Sequence, residues 1–241
     1  MRLVSIVIPT LNEDVAAPLA EVGAYLGGLR GWRFEIWVVD DSADHVRTRV
    51  SSAIRAAKLP ENVIAELVEG PREGKGAAVR SGICRTRGDY VFLMDADLPA
   101  PVQCIEGFLR LLERGADVVI AERVLHREFS SAARWLVSRG LLVMQRAFVF
   151  HSNEFSDTQC GFKAFRGDFL REIAREQIVK GGMYDLEYLY IAAHKHKIIE
   201  KIAIVPTAER RISRINIWKC LRRDPVDVLR VKAHGLLGGY R

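Results

Sequence analysis

The stretch Val91-Phe92-Leu93-Met94-Asp95-Ala96-Asp97 constrains the fold more than any other part of the chain. Four consecutive apolar residues follow Gly88-Asp89 without a polar interruption, which predicts a strand covered on both faces. Side chains two apart on a strand point the same way. Asp95 and Asp97 therefore converge at the carboxyl end of the sheet, where open α/β folds place their ligands. Two close carboxylates repel one another unless a cation or proton lies between them. A hard divalent ion, Mg²⁺ or Mn²⁺, suits such a pair and would also hold substrate phosphates. The plain alternative is a solvated strand-to-loop turn, where Asp is common.

The surrounding chain alternates strand and helix signals, the pattern of a mostly parallel sheet with helices on both faces. Strands are expected at Leu3–Ile8, Phe34–Val39, Val63–Val68, the central run and Asp117–Ala121. Helices are expected at Pro18–Leu29, Arg47–Lys58, Ala77–Arg85 and about Gln103–Arg114. The C-terminal third reads as helical and irregular. The 241 residues, 49% hydrophobic, suffice for one large domain, expected over 1–209 and followed by a basic amphipathic segment over 210–241.

Charge is concentrated in that last segment. Between Arg210 and Lys232 eight basic residues face Asp224 and Asp227, a sum of +6 that equals the net charge of the whole chain. Ile212, Ile215, Ile217, Trp218 and Leu221 are interleaved, which suits an anionic membrane surface. A nucleic-acid partner and a merely solvated helix compete with that reading; nucleic acid is set aside. Cys84, Cys104, Cys160 and Cys220 have no C-x-x-C spacing and read as reduced thiols of a cytosolic protein. The N-terminus enters a strand directly, without a cleavable leader, and no apolar run approaches the ~18–20 residues of a spanning helix. Location is expected to be peripheral, at the cytoplasmic face of a membrane.

Polar residues recur at one edge of the predicted sheet: Pro9-Thr10-Leu11-Asn12-Glu13, Asp40-Asp41, and Asp95 with Asp97. Such a row builds a nucleotide cleft. Gly74-Lys75-Gly76 before a helix is expected to bring backbone and an ammonium near an anion. It is not a Walker sequence, and no G-x-G-x-x-G follows the first strand.

These residues, together with Gly74-Lys75-Gly76-Ala77-Ala78-Val79-Arg80, Ala121-Glu122-Arg123, Asp157-Thr158-Gln159-Cys160-Gly161-Phe162-Lys163 and Tyr184-Asp185-Leu186-Glu187, resemble family 2 glycosyltransferases with the GT-A fold. The polyprenyl-phosphate (dolichyl-phosphate) hexosyltransferases are the nearest group, glucosyl enzymes first and mannosyl enzymes second. The resemblance implies that Pro9, Leu11, Glu13 and Asp41 border the nucleobase and ribose, supported by Asp40, with Lys75 nearby. Asp95 and Asp97 would carry metal and diphosphate, and Asp157 and Gln159 would reach the sugar or acceptor side. Arg123, with Arg134 or Arg139, would bind the acceptor phosphate. Asp185 and Glu187 would lie on a helix over the sugar pocket, and Ser213-Arg214 would close on the phosphates.

The implied reaction passes a hexose from a nucleoside-diphosphate sugar, UDP-glucose or GDP-mannose, to polyprenyl or dolichyl phosphate, with inversion. A phosphate monoester is largely dianionic at neutral pH, its second pKa being about 6. It needs no strong base, so Asp185 is read as a sugar-positioning carboxylate. Pro99 stands where some mannosyl relatives carry a polar third metal ligand, so phosphates and water would complete the shell. Asp40-Asp41-Ser42-Ala43 lacks a glycine that many relatives carry. Many relatives also have transmembrane helices. Membrane contact here would come from the basic segment, the stretch around Trp135 to Phe150, or a partner protein. Transfer to a glycan or small-molecule hydroxyl, and a non-catalytic nucleotide-sugar-binding subunit, are the alternatives.

Overall fold

A computed structural model describes residues 1–124, 140, 143, 144, 146, 155, 157–205 and 217–240, with side chains of the last segment from Arg223 onward. Its core is a seven-stranded sheet in the order β3-β2-β1-β4-β6-β5-β7. The strands are β1 (Arg2–Thr10), β2 (Trp32–Asp40), β3 (Val63–Glu69), β4 (Tyr90–Met94), β5 (Val118–Arg123), β6 (Phe162–Arg166) and β7 (Ile199–Ile204). β3, β2, β1 and β4 run parallel, β6 is antiparallel to both β4 and β5, and β5 pairs parallel with β7.

Strict alternation along the strands divides two cores. Val4, Ile6, Ile8, Phe34, Ile36, Val38, Phe92 and Met94 point to one face. There they meet α1 (Ala16–Gly27) through Leu19, Val22 and Leu26, and α4 (Cys104–Glu113) through Ile105, Phe108 and Leu112. Phe92, Phe108 and Phe162 form a tilted and edge-to-face trio with centroids 4.9–6.0 Å apart, worth roughly 0.5–1.5 kcal/mol per pair beyond burial. Val7, Val39, Val91, Leu93, Ile120 and Phe165 point the other way. They are covered by α3 (Lys75–Ile83), α5 (Gly167–Glu176), α6 (Tyr184–His194) and α7 (Ile217–Leu236). The remaining helix, α2 (Asp44–Ala56), lies beside β3 and buries little beyond Val50.

Three differences from the expected elements have physical causes. First, the C-terminal third contributes two strands, β6 and β7, rather than helices and coil alone. Lys163 and Arg166 break the apolar pattern of β6, and β7 is half-buried, so neither carries the signal of a central strand. Second, α2 and α3 begin two to three residues before their expected starts, at Asp44 and Lys75, and neither start has a side-chain cap to announce it. Third, the described part of the 210–241 segment packs onto the domain: Val228, Val231 and Tyr240 belong to the second core. The stretch around Trp135 to Phe150 lies almost wholly outside the described residues.

Candidate active site

β1, β2 and β4 run parallel and end at the same edge, and Glu13 and Asp95, just past β1 and β4, meet there in one cleft. At its centre stands Asp95, one residue past β4. Its backbone N–H donates to Gly161 O at 2.9 Å, continuing the β4–β6 register in which Met94 pairs with Phe162. Lys75, the first residue of α3, places its Nζ 2.7 Å from Asp95 Oδ1 and 2.8 Å from Oδ2. Asp97 is exposed two residues on. Glu13 sits close enough that burial, then Asp95 and Asp97, hold its carboxyl above the usual range. Lys75 is pulled two ways: desolvation lowers its pKa, while Asp95 and Asp185 raise it, with a net upward result.

Asp185 opens α6 and is almost wholly buried beside Lys163 of β6, whose Nζ lies 3.2 Å from Asp185 Oδ2 and donates to Cys160 O at 2.6 Å. Burial raises the Asp185 pKa further than the two lysines lower it. On the other side of Asp95, Arg123 at the end of β5 grips Asp157. Its Nε donates to Asp157 Oδ2 and its Nη2 to Oδ1 at 2.9 Å, leaving Nη1 off the pair. Burial opposes charge on Asp157, but the guanidinium overrides it and its pKa is lowered. Asp157 Oδ1 also accepts from the Gln159 N–H at 3.0 Å, and the buried Gln159 Nε2 has no hydrogen-bond partner among the described residues. The neighbouring Cys160 thiol is pushed up to about 11 by burial, which suits a packing residue rather than a nucleophile.

At the far end of the cleft, Asp40 is fully buried and its Oδ1 accepts from Ser42 Oγ at 2.5 Å and Ser42 N at 3.2 Å. Ser42 Oγ in turn accepts from Asn12 N at 2.7 Å, tying the β1 and β2 loops together. Asp41 Oδ1 accepts from Arg72 N at 3.0 Å. Pro9 is buried and Leu11 is exposed at the rim.

The structure brings Glu13, Lys75, Asp95, Asp97 and Asp185 together, with Arg123, Asp157 and Gln159 beside them. Two expectations change. Glu187 turns away from the cleft: its carboxylate accepts from Ile178 N at 2.7 Å, Val179 N at 2.9 Å and Tyr240 Oη at 2.8 Å. Residues i and i+2 of a helix face different sides, so Asp185 and Glu187 cannot share a pocket. The Gly76 and Ala77 amides in the first turn of α3 are likewise unavailable to an anion. Gly76 N donates to Lys180 O at 3.0 Å and Gly181 O at 3.1 Å, and Ala77 N to Lys180 O at 3.3 Å. Arg134, Arg139, Ser213 and Arg214 lie outside the described residues.

Lys163 and Gly161 were legible only as parts of a motif. A Cβ on Gly161 would overlap the Asp95 carboxylate, with even the farther oxygen 2.7 Å away. Among the described residues no group of three or more His, Cys, Asp or Glu is arranged to hold a metal. The donor set still fits Mg²⁺ or Mn²⁺ in one way: Asp97, with Asp95 behind it, as one or two hard carboxylates whose remaining ligands are phosphate and water oxygens.

The family model described as "Glycosyl transferase family 2" matches residues 5–173. A dolichyl-phosphate beta-glucosyltransferase of Trichomonas vaginalis is 27% identical over 215 residues, 83% of this chain and 64% of that protein. The chain thus spans just under two thirds of that relative's length. The human dolichyl-phosphate beta-glucosyltransferase is 26% identical over 258 residues, covering 100% of this chain and 78% of the relative. Among solved structures, Mycobacterium tuberculosis glucosyl-3-phosphoglycerate synthase in complex with Mn²⁺ and UDP-glucose superposes with a TM-score of 0.67 at 17% identity, over 96% of this chain and 79% of that one. With the sheet order and the strand-end carboxylates already in place, the chain belongs to glycosyl transferase family 2.

Proposed function

We propose that this protein transfers a hexose, glucose first and mannose second, from a nucleoside-diphosphate sugar to a polyprenyl or dolichyl phosphate, with inversion and with a divalent cation. The observation that carries the acceptor is the Lys163–Asp185 pair. Asp185 is the carboxylate of the cleft nearest in kind to a base, and a buried ammonium already holds its Oδ2 at 3.2 Å. A carboxylate so engaged orients a sugar hydroxyl better than it removes a proton. A phosphate monoester asks only for the former. The names of the relatives agree with this reading.

The chain's groups then divide the work. An acceptor phosphate oxygen attacks the anomeric carbon, the carbon–oxygen bond to the diphosphate breaks, and its electron pair leaves with the nucleoside diphosphate. No proton need move. Arg123, fixed by Asp157, presents Nη1 to the acceptor dianion, a geometry that guanidinium suits better than ammonium. Lys75 stands beside Asp95 where the leaving diphosphate would lie. Asp97 and Asp95 would hold the divalent ion, which when bound supplies Lewis-acid stabilisation of the charge developing on the leaving group. Four carboxylates (Glu13, Asp95, Asp97, Asp185) face two ammoniums (Lys75, Lys163) here, so a diphosphate entering without a cation would meet net negative charge.

The lipid acceptor implies work at a membrane surface, peripherally and on the cytoplasmic side. No helix among the described residues is long and apolar enough to cross a membrane. α7 offers an alternative attachment. Val226 (53% exposed), Leu229 (54%) and Leu236 (73%) fall within an arc of roughly 80° opposite the buried Val228 and Val231, and Leu237 (86%) follows just past the helix end. Arg223 and Arg230, each ion-paired with Asp227 at 3.5 Å, lie along one edge of the stripe, which suits an interfacial helix on anionic lipid.

The raised pKa of Asp185 favours a second reading, in which it acts as base for a hydroxyl acceptor. One assay separates the two: purified protein, Mg²⁺ or Mn²⁺, a short polyprenyl phosphate, and UDP-glucose beside GDP-mannose, scored as lipid-extractable sugar with and without chelator. Chelator-sensitive lipid product with one donor is expected. Metal-dependent donor hydrolysis without lipid product would move the acceptor elsewhere.

A further inference from the structure

Glu187 is fully buried and takes no part in the cleft, yet it is bonded through both oxygens. Its bonds form one end of a continuous chain that reaches Lys75. Tyr240 Oη, from the C-terminus, donates to Glu187 Oε1 at 2.8 Å. Glu187 accepts the Ile178 and Val179 amides at 2.7 and 2.9 Å, which fixes the loop between α5 and α6. Gln177 locks the same loop, its Nε2 donating to Val179 O at 2.5 Å while its Oε1 accepts from Tyr188 Oη at 2.6 Å. The next carbonyls, Lys180 O and Gly181 O, take the Gly76 and Ala77 amides at the start of α3.

This joint has no slack. A Cβ on Gly74 would lie 2.6 Å from Lys180 O, and one on Gly76 would lie 2.6 Å from Val179 O. The two glycines flanking Lys75 therefore let the 179–181 backbone press against the first turn of α3. A shift of that loop moves the helix start, and with it the ammonium held 2.7 Å from Asp95.

We propose that Glu187 and Tyr240 are positioning residues that set Lys75 against Asp95 through the 178–181 loop. The C-terminus, packed over α6 by Tyr240, thereby controls the diphosphate end of the cleft from outside it. The role of Lys75 toward diphosphate rests on the function proposed above; the mechanical coupling does not.

Two measurements on the full chain test this. Amide hydrogen exchange follows the joint directly. Tyr240→Phe removes one hydroxyl with almost no change in volume and is expected to speed exchange at Ile178, Val179, Gly76 and Ala77 together. Calorimetric titration with UDP and Mn²⁺ follows the consequence. Tyr240→Phe is expected to weaken UDP about fivefold, the scale of one lost hydrogen bond to a charged group after partial relaxation. Lys75→Met should weaken it at least as much, and adding Tyr240→Phe to Lys75→Met should cost nothing further. A Tyr240→Phe loss that persists undiminished in the Lys75→Met background would overturn the proposal, as would unchanged exchange at Gly76 and Ala77. Wild-type protein that bound no UDP would sink the function reading instead, and exchange at Gly76 and Ala77 would then decide the coupling alone. Glu187→Gln serves as a second perturbation of the joint, expected to act in the same direction as Tyr240→Phe.

Discussion

Gly161→Ala isolates the placement of Asp95 from its chemistry. The added methyl would overlap the Asp95 carboxylate, its farther oxygen standing 2.7 Å from the new carbon, whereas ordinary contact begins near 3.4 Å. The backbone cannot yield easily, because Asp95 N donates to Gly161 O at 2.9 Å inside the β4–β6 ladder. The carboxylate must retreat instead, by roughly 1 Å, stretching its 2.7 and 2.8 Å contacts to Lys75 beyond hydrogen-bonding range. A misplacement of about 1 Å in a catalytic constellation costs on the order of 100-fold in rate, or about 2.7 kcal/mol. Overpacking should destabilise the fold by about 1–3 kcal/mol, which for a domain of this size lowers the melting temperature by roughly 2–12 °C. The assay pairs thermal melts with metal-dependent sugar transfer under saturating donor, run well below the melting temperature. A folded variant within threefold of wild-type turnover would show that Asp95 need not stand where β6 holds it, and the site built around it would be wrong.

The other expectations concern charge. Lys163→Met leaves Asp185 buried without its ammonium and should cost about 3–5 kcal/mol; adding Asp185→Asn should restore much of that stability in thermal melts without restoring transfer. Asp157→Asn removes one charge-assisted hydrogen bond to Arg123, worth about 1.5–3 kcal/mol, and should raise KM for the lipid phosphate more than KM for the nucleotide sugar. Its pH signature follows from linkage. The Asp157 pKa lies below its ordinary 3.8 in the folded protein, so its contribution is present above that value and fades as pH falls through the folded one. The melting difference between wild type and Asp157→Asn should accordingly shrink as pH drops from about 5 toward and below 3.8. Leu229→Glu with Leu236→Glu should abolish sedimentation with anionic vesicles while leaving the melting temperature within about 2 °C, since both side chains are more than half exposed; unchanged sedimentation would remove α7 from the membrane reading.

What alternation and strand ends can carry was legible in the residues. Val91 to Met94 gave β4, and the carboxylates at Asp40 and Asp95 marked the edge where the cleft opens. Lys163 escaped notice because a lysine inside a short strand reads as an edge or surface position. It is 1% exposed only because Asp185 arrives opposite it from twenty-two residues further along. Glu187 was misplaced for the complementary reason. Two carboxylates in one tetrapeptide look like a pair, whereas a helical turn sends the second to the loop it caps.

The Gly-Lys-Gly triplet shows where such reading stops. Glycines before a helix are expected to bare its amides to an anion, and the same glycines equally permit another backbone to approach. Sequence cannot choose between these, because the partner that takes the Gly76 amide, Lys180 O, lies in a loop with no pattern of its own. Once that loop is in place, the anion-binding capacity of α3 passes from its amides to the Lys75 ammonium. The amides are consumed in holding the ammonium still. A phosphate site with fixed dipoles needs no alignment from elsewhere, but a flexible four-carbon side chain does. Tying the start of α3 to a buried carboxylate and Tyr240 would supply that alignment from outside the cleft.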